Sequence, residues 1–333
     1  QPSFPAADRV LLELGLVQTL DGKADDAAAT FAALVKRFPK SAYAADAWLE
    51  LGEARWAAQD WAAAAEAYGK AIEAAAGGPV AEQARHKLGW TFVRRGDRAA
   101  AAREFAAQVA ACPAGPLAAD GRALLGESLL LCDRVDEAAQ ALDAALADPG
   151  KLSSPELRGL TVVRAAEAAA RRDQWQRSLD VAETFLKAEP DSPQASQVRY
   201  AAAWARQNLG RLDEALAGYR AIAAAGRTET AARARLMEGE VLFEQGDHKE
   251  AIKAFFKVAY GFGEAQAPRS FHPWQAQATY EAARCFEVLR KPEQARKLYA
   301  ELVERYPDSE HVAAARKRLA ALPAPAAAPG DAP

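Results

Sequence analysis

A short pattern returns along this chain at a nearly constant step. A small residue stands at Gly15, Gly52, Gly89, Gly126, Ala166, Ala203, Gly239 and Ala283, at spacings of 37, 37, 37, 40, 37, 36 and 44 residues. Twelve residues after each marker come Ala27, Ala64, Ala101, Ala138, Ser178, Ala215, Ala251 and Ala295. Sixteen after it come Phe31, Tyr68, Phe105, Leu142, Ala182, Tyr219, Phe255 and Tyr299. A proline follows at twenty-four in four periods, as Pro39, Pro113, Pro190 and Pro307. Agreement at several offsets over eight periods defines a repeat array. In such an array each unit packs only on its neighbours, so 333 residues need no single large core.

Each period reads as two helices. Ala, Leu, Glu, Arg and Gln dominate and favour helix, and no alternating strand pattern runs for long. Helix A carries the marker and helix B the residues at +12 and +16. The marker and the small residue at +12 are expected to face each other, with the +16 ring filling the space beside them. Glycine inside a helix costs about 1 kcal/mol against alanine, so its recurrence signals a packing requirement that outweighs the cost. Pro5, Pro79, Pro116, Pro155, Pro193 and Pro273 suit first helical positions, where a missing N–H costs nothing. Ser41, Ser154, Ser192 and Thr228 stand where a cap is expected. Gly22, Gly96, Gly210 and Gly246, with Asp60, Asp133 and Asp173, supply the turns between A and B.

A small marker, alanine at +12, an aromatic at +16 and proline at +24 resemble the tetratricopeptide repeat, whose usual length is 34 residues. The resemblance runs from residue 1 to about 322. Repeat five is its weakest member, since it lacks both glycine and ring. It implies an all-α fold, a right-handed α-solenoid of about eight antiparallel helix pairs with a C-terminal capping helix. The repeats would occupy 1–308, starting near 5, 42, 79, 116, 155, 193, 229 and 273. Residues 309–322 would form the cap, and the Pro/Ala-rich 323–333 a disordered tail. The P-x-S-x-x-A junctions in FPKSAYAADAWLELG and EPDSPQASQVRYAAA are similar to those of bacterial cell-envelope members, including the outer-membrane assembly lipoprotein and the Tol-Pal-associated division coordinator. That likeness implies a periplasmic or envelope location, with cytoplasm still open. The chain begins at Gln1, not Met, so upstream sequence, a signal peptide or more protein, is expected to have been removed.

The family resemblance implies that helices A line a concave surface holding an extended or helical peptide. By position alone, that surface collects Glu53, Trp56, His86, Trp90, Glu127, Glu167, Tyr200, Trp204, Glu240, Phe243, Tyr280 and Arg284. Aromatic anchors with charged neighbours are common ingredients of binding hot spots. The competing reading is that the rings merely pack between adjacent A helices. Trp48, Trp61 and Trp175 are expected to be structural. The Lys/Asn/Arg clamp of chaperone-binding members has no counterpart at these mostly acidic or aromatic positions. Helix A of repeat one, VLLELGLVQTL, is apolar on nearly every side. Its outer side is expected to be covered by an upstream repeat or a partner, with Leu11, Leu12 and Leu16 as the candidate end interface. Insertions at about 148–155 and 260–273 break the period. The second carries Tyr260, Phe262 and Phe271 with Trp274 beside it, either as a functional loop or as rings tucking the loop onto the array.

Little points to chemistry. The four histidines are scattered, and no P-loop, dinucleotide or nucleophile-elbow motif occurs. Cys112, Cys132 and Cys285 are odd in number and widely spaced, and they read as small core residues, neither disulfides nor a zinc site. No cofactor or metal is expected. A net charge of −3 exerts no general pull on nucleic acid, and no apolar stretch is long enough to span a bilayer. The expected function is non-catalytic: a scaffold or adaptor binding protein or peptide, of open oligomeric state. The alternatives are a docking or regulatory region of a larger enzyme and a structural subunit of an assembly.

Overall fold

The computed structural model describes residues 6–261 and 267–323. Pro2, Pro5, Phe262 and the tail 324–333 lie outside them. Among the described residues the chain is all-α, a helix-pair repeat solenoid of about eight pairs with an extra C-terminal helix. It comprises two compact units, Gln1–Gln174 and Trp175–Pro333.

In the first unit the A helices are α1 (Ala7–Leu20), α3 (Ala44–Ala57), α5 (Gly78–Arg94), α7 (Ala118–Leu131) and α9 (Pro155–Ala170). They alternate with the B helices α2 (Ala24–Arg37), α4 (Trp61–Ala75), α6 (Arg98–Ala111) and α8 (Val135–Leu146). The second unit opens with the B helix α10 (Trp175–Ala188). It continues with α11 (Ala195–Asn208) and α12 (Leu212–Ala224), α13 (Glu229–Glu244) and α14 (His248–Ala259), then α15 (His272–Val288) and α16 (Pro292–Arg305). It ends with α17 (His311–Ala321). Within each unit successive helices pack on one another. A helices also touch the next A helix, as α3 touches α5 and α13 touches α15.

The glycine markers explain how close each pair comes. A Cβ added at Gly15, Gly52, Gly89 or Gly239 would lie 2.4, 2.5, 2.6 or 2.4 Å from the ring of Phe31, Tyr68, Phe105 or Phe255, respectively. All four rings are fully buried. The +16 ring therefore lies directly against the marker, where a small residue at +12 was expected to face it. At Gly126 the neighbour is Leu142, at 2.4 Å. The A–B turns need a left-handed residue, and Gly22 (φ +74°) and Gly96 (φ +80°) supply it without a Cβ penalty. Asp133 and Asp173 take the same conformation. Asp60 does not. It caps α4 by accepting the Ala63 N–H, and Gln59 carries the positive φ.

The junctions correct two assigned caps. Ser154 and Thr228 accept the N–H groups of Leu157 and Ala231, three residues on, as N-caps do. Ser41 and Ser192 instead accept from Tyr43 and Gln194, two residues on, before their helices begin. They shape the turn that follows the proline, as Ser309 does through His311 N–H. A further staple recurs. Arg122, Arg158 and Arg199 each donate to the carbonyl of the proline nine residues earlier, Pro113, Pro149 and Pro190.

At the C-terminus α17 buries Val312 and Ala315, and Leu319 and Leu322 pack beside them. Arg316 and Lys317 are exposed, whereas Arg318 turns back to Tyr280 and Glu287. The second insertion is tied to the second unit at both flanks. Tyr260 Oη donates to Glu301 at 2.7 Å, Gln275 donates to Gly261 O, and Trp274 packs partly buried on the core. Cys285 is buried, which pushes its thiol up to about 12. Cys112 and Cys132 are only half-buried, at the ends of α6 and α7.

Candidate protein-binding surface

The residues assigned to the A-helix surface fall into distinct groups. Glu53, Trp56, Trp90, Glu127 and Glu167 in the first unit are half-buried, as are Trp204, Glu240, Phe243, Tyr280 and Arg284 in the second. His86 and Tyr200 are buried, which removes them from a displayed surface. Both lie three residues before a marker. That position also holds Leu49, Ala123 and Leu236, all buried, and the half-buried Tyr280, so in most repeats it is a packing position.

His86 belongs to a buried polar chain. Its Nδ1 lies 3.2 Å from Gln108 Oε1, and its Nε2 accepts from Trp90 Nε1 at 3.2 Å. Gln108 Nε2 donates to Leu117 O. Burial holds the imidazole below its usual pKa, favouring the neutral form that can accept the indole proton. Glu82, one turn before His86 on the same helix, is buried and accepts Leu117 N–H at 3.0 Å. Asp120 does the same for Ser153 N–H at 2.9 Å, and Asp8 accepts from Ser41 Oγ at 2.6 Å. An acid at the start of one A helix thus fastens the junction before the next.

The surface acids are not free. Glu53 accepts from Tyr68 Oη at 2.8 Å and from Lys87 Nζ at 2.9 Å. Arg164 bridges Glu127 and Glu167 at 3.2 and 3.0 Å. Lys87 and Arg164, both two residues before their markers, were missed. Their signal was an opposite charge at +1 of one repeat and −2 of the next. In the second unit Glu240 accepts from Gln277 at 3.2 Å, and Arg284 pairs with Glu281 at 2.7 Å while lying over the Phe243 ring. Burial, then Glu281 and Glu244, push the Glu240 carboxyl up to about 7, against the pull of Arg284.

The rings are held from behind. Trp56 meets Trp61 edge-on at 4.9 Å, Trp204 meets Trp175 at 5.1 Å, and Phe243 meets His248 at 4.9 Å. Tyr280 is covered by α17, with His311 stacked on it at 5.2 Å and Arg318 donating to its hydroxyl. Arg233, exposed on α13, lies over the rings of Tyr200 and Trp274 at 4.3 and 5.6 Å. Among the described residues no cluster of three or more His, Cys, Asp or Glu is able to hold a metal ion, and no helix is long and apolar enough to cross a membrane.

Comparison with known proteins agrees with this architecture. One tetratricopeptide repeat family profile matches residues 21–79, 86–151 and 200–271, and a second matches 242–319. The chain therefore belongs to the tetratricopeptide repeat family, a non-catalytic class whose fold mediates protein–protein interaction and scaffolding. No curated protein sequence matches it. Among solved structures, a tetratricopeptide repeat protein from Parabacteroides merdae is similar at 13% identity and a TM-score of 0.50, over 82% of this chain and 98% of that one. A putative kinesin light chain from Podosopora anserina with nearly identical TPR-like repeats is similar at 18% identity and a TM-score of 0.47, over 58% and 96%. A variant of that kinesin light chain gives 18% and 0.48, over 60% and 98%.

Proposed function

We propose that this protein is a non-catalytic adaptor that holds a peptide segment of a partner protein on its A-helix surfaces. The observation that carries the reading is the pair Trp204 and Phe243 on successive A helices. Each is half-buried, packed partly on the core, and each is braced by a helix-B ring. A ring fixed in place loses little freedom on binding, which favours an anchor. The paired acids and cations around the rings would contribute orientation more than affinity. The P-x-S-x-x-A junctions support a cell-envelope location.

A displayed random-peptide library, selected on the intact chain, supplies ligands for the test. Replacing Trp204 and Phe243 together by alanine is expected to weaken selected peptides by at least about tenfold, the cost of losing one moderate hot spot. Helicity and melting should stay nearly unchanged. Binding that is indifferent to the double substitution, or a large fall in melting temperature, would mean that these rings serve packing alone.

A further inference from the structure

The start of the array displays less than its sequence suggested. Leu11 and Leu12, assigned to an end interface, pack instead against the core that α2 and α3 build around Phe31, and Leu16 alone of that set is exposed. A sharper departure lies in the second unit, where the charge pattern of the A-helix surface breaks. In the first unit an acid one residue after a marker meets a cation two residues before the next marker. Glu53 holds Lys87 at 2.9 Å, and Glu127 holds Arg164 at 3.2 Å. At the joint between α13 and α15 the same two positions carry Glu240 and Glu281. No other joint sets two like charges there.

The surroundings leave this pair short of positive charge. Arg284 pairs with Glu281 at 2.7 Å, whereas Glu240 accepts from the neutral amide of Gln277. Glu244, one turn on along α13, adds a third carboxylate and accepts from another neutral amide, Gln207 of α11, at 3.2 Å. Tyr200 of α11 and Tyr219 of α12 also face Glu240, and burial holds both phenols neutral. Arg233 turns to the rings of Tyr200 and Trp274. Three carboxylates therefore stand against one arginine, and Glu281 and Glu244 both raise the Glu240 carboxyl. Among the described residues they form no cluster able to hold a metal ion, so the missing charge is not a metal's. The acids share the surface with the two braced rings. Phe243 lies three residues after Glu240 on the same helix face. Trp204 takes the offset of Glu240 on the adjacent A helix, α11, which touches α13.

We infer that this joint takes a lysine or arginine of the partner peptide, with its cation between Glu240 and Glu281 and its aliphatic stem along Trp204. The inference rests on the adaptor reading and adds the chemistry of the residue that is held. The incoming cation does for Glu240 and Glu281 what Lys87 does for Glu53 within the chain. An ion pair on a half-buried surface is screened less than one in open water, so it discriminates between peptides. A long apolar stem ending in a charge suits a ring beside carboxylates, since the stem packs while the head stays paired. The joint also explains its own cost. Two like charges side by side destabilise the unoccupied fold near neutral pH, and a basic residue at position 281 would have removed that cost while closing the site.

Peptides selected on the intact chain, and dependent on Trp204 and Phe243, are the probes. They should share a lysine or arginine at one position. Exchanging that residue for norleucine or citrulline, which keep the stem and remove the charge, should weaken binding at least about tenfold. Glu281→Lys, which restores the first unit's pattern, should weaken the unmodified peptides by a similar factor and raise the melting temperature at about pH 8. Glu240→Gln should weaken them at least about fivefold at about pH 8 and little at about pH 5.5, where the parent carboxyl is itself protonated. Glu66→Gln, on exposed α4 of the first unit, controls for general charge and should leave affinity unchanged. Ring-dependent peptides without a shared basic residue overturn the inference and leave the adaptor reading standing, as do peptides that bind both glutamate variants as tightly as the parent. A selection that yields no ring-dependent peptide overturns both. The norleucine and citrulline exchanges are made on the ligand, so they decide even if a protein variant fails to fold.

Discussion

Gly89→Leu is expected to destabilise the first unit by about 3 kcal/mol or more, at the upper end of overpacking costs. Even the first added carbon would stand 2.6 Å from the Phe105 ring, and that ring is fully buried with nowhere to turn. The helices must separate or Phe105 must leave its rotamer, and either exposes the cluster it shares with Ala101 and Leu124. Alanine at the same position should cost less, because repeats six and eight tolerate Ala203 and Ala283 with Tyr219 and Tyr299 still fully buried. The control is another helical glycine. Gly69, inside α4, has nothing within 4 Å of its would-be Cβ. Gly69→Ala should therefore stabilise by up to about 1 kcal/mol through helix propensity alone. Urea unfolding followed by circular dichroism measures both. Opposite signs at residues 69 and 89 are the expected result, and a neutral Gly89→Leu would mean that the hairpin is not held by marker-to-ring contact.

That contact shows why so much of the fold could be read from the chain. Close backbone approach admits few residue types, so it leaves a trace at fixed offsets. The helix pairs and the turn residues follow from it. Interactions between repeats leave a fainter trace. Glu82 and Asp120 resemble ordinary acids near helix starts, yet they are buried and bind N–H groups 35 and 33 residues away. Nothing local distinguishes them. His86 and Tyr200 were misread for a different reason. They were placed on the surface by their offset alone, although the apolar Leu49, Ala123 and Leu236 at the same offset already marked it as core. On the candidate surface the rings and Arg284 were legible, and Lys87 and Arg164 were not. Pairing Glu53 with Lys87 requires knowing that adjacent A helices lie side by side. The division after Gln174 falls in repeat five, where the glycine and ring that define other periods are missing.

Stability of the second unit should fall as pH rises from about 5 to about 8, and Glu240→Gln should remove most of that fall. The Glu240 carboxyl titrates at about 7 in the fold, against 4.5 for a free glutamate. Burial is the largest cause, followed by Glu281 and Glu244, while Arg284 opposes them. Below pH 4.5 both folded and unfolded chains hold the proton and the site costs nothing. Between 4.5 and 7 the unfolded chain releases it and the folded chain keeps it, so each unit of pH favours unfolding by about 1.4 kcal/mol. Above 7 both forms are ionised and the penalty levels off at about 3 kcal/mol. The direction is opposite to that of a salt-bridged carboxylate, whose contribution is lost on acidification. Glutamine keeps an acceptor for the Gln277 amide, 3.2 Å away, and removes the charge. Melting of Glu240→Gln should therefore match the parent near pH 5 and exceed it by several degrees at pH 8. Glu281 keeps its partner Arg284 in both proteins, which leaves Glu240 as the group that differs. Parallel melting curves across this range would show that Glu240 reaches water more freely than its packing between α13 and α15 implies.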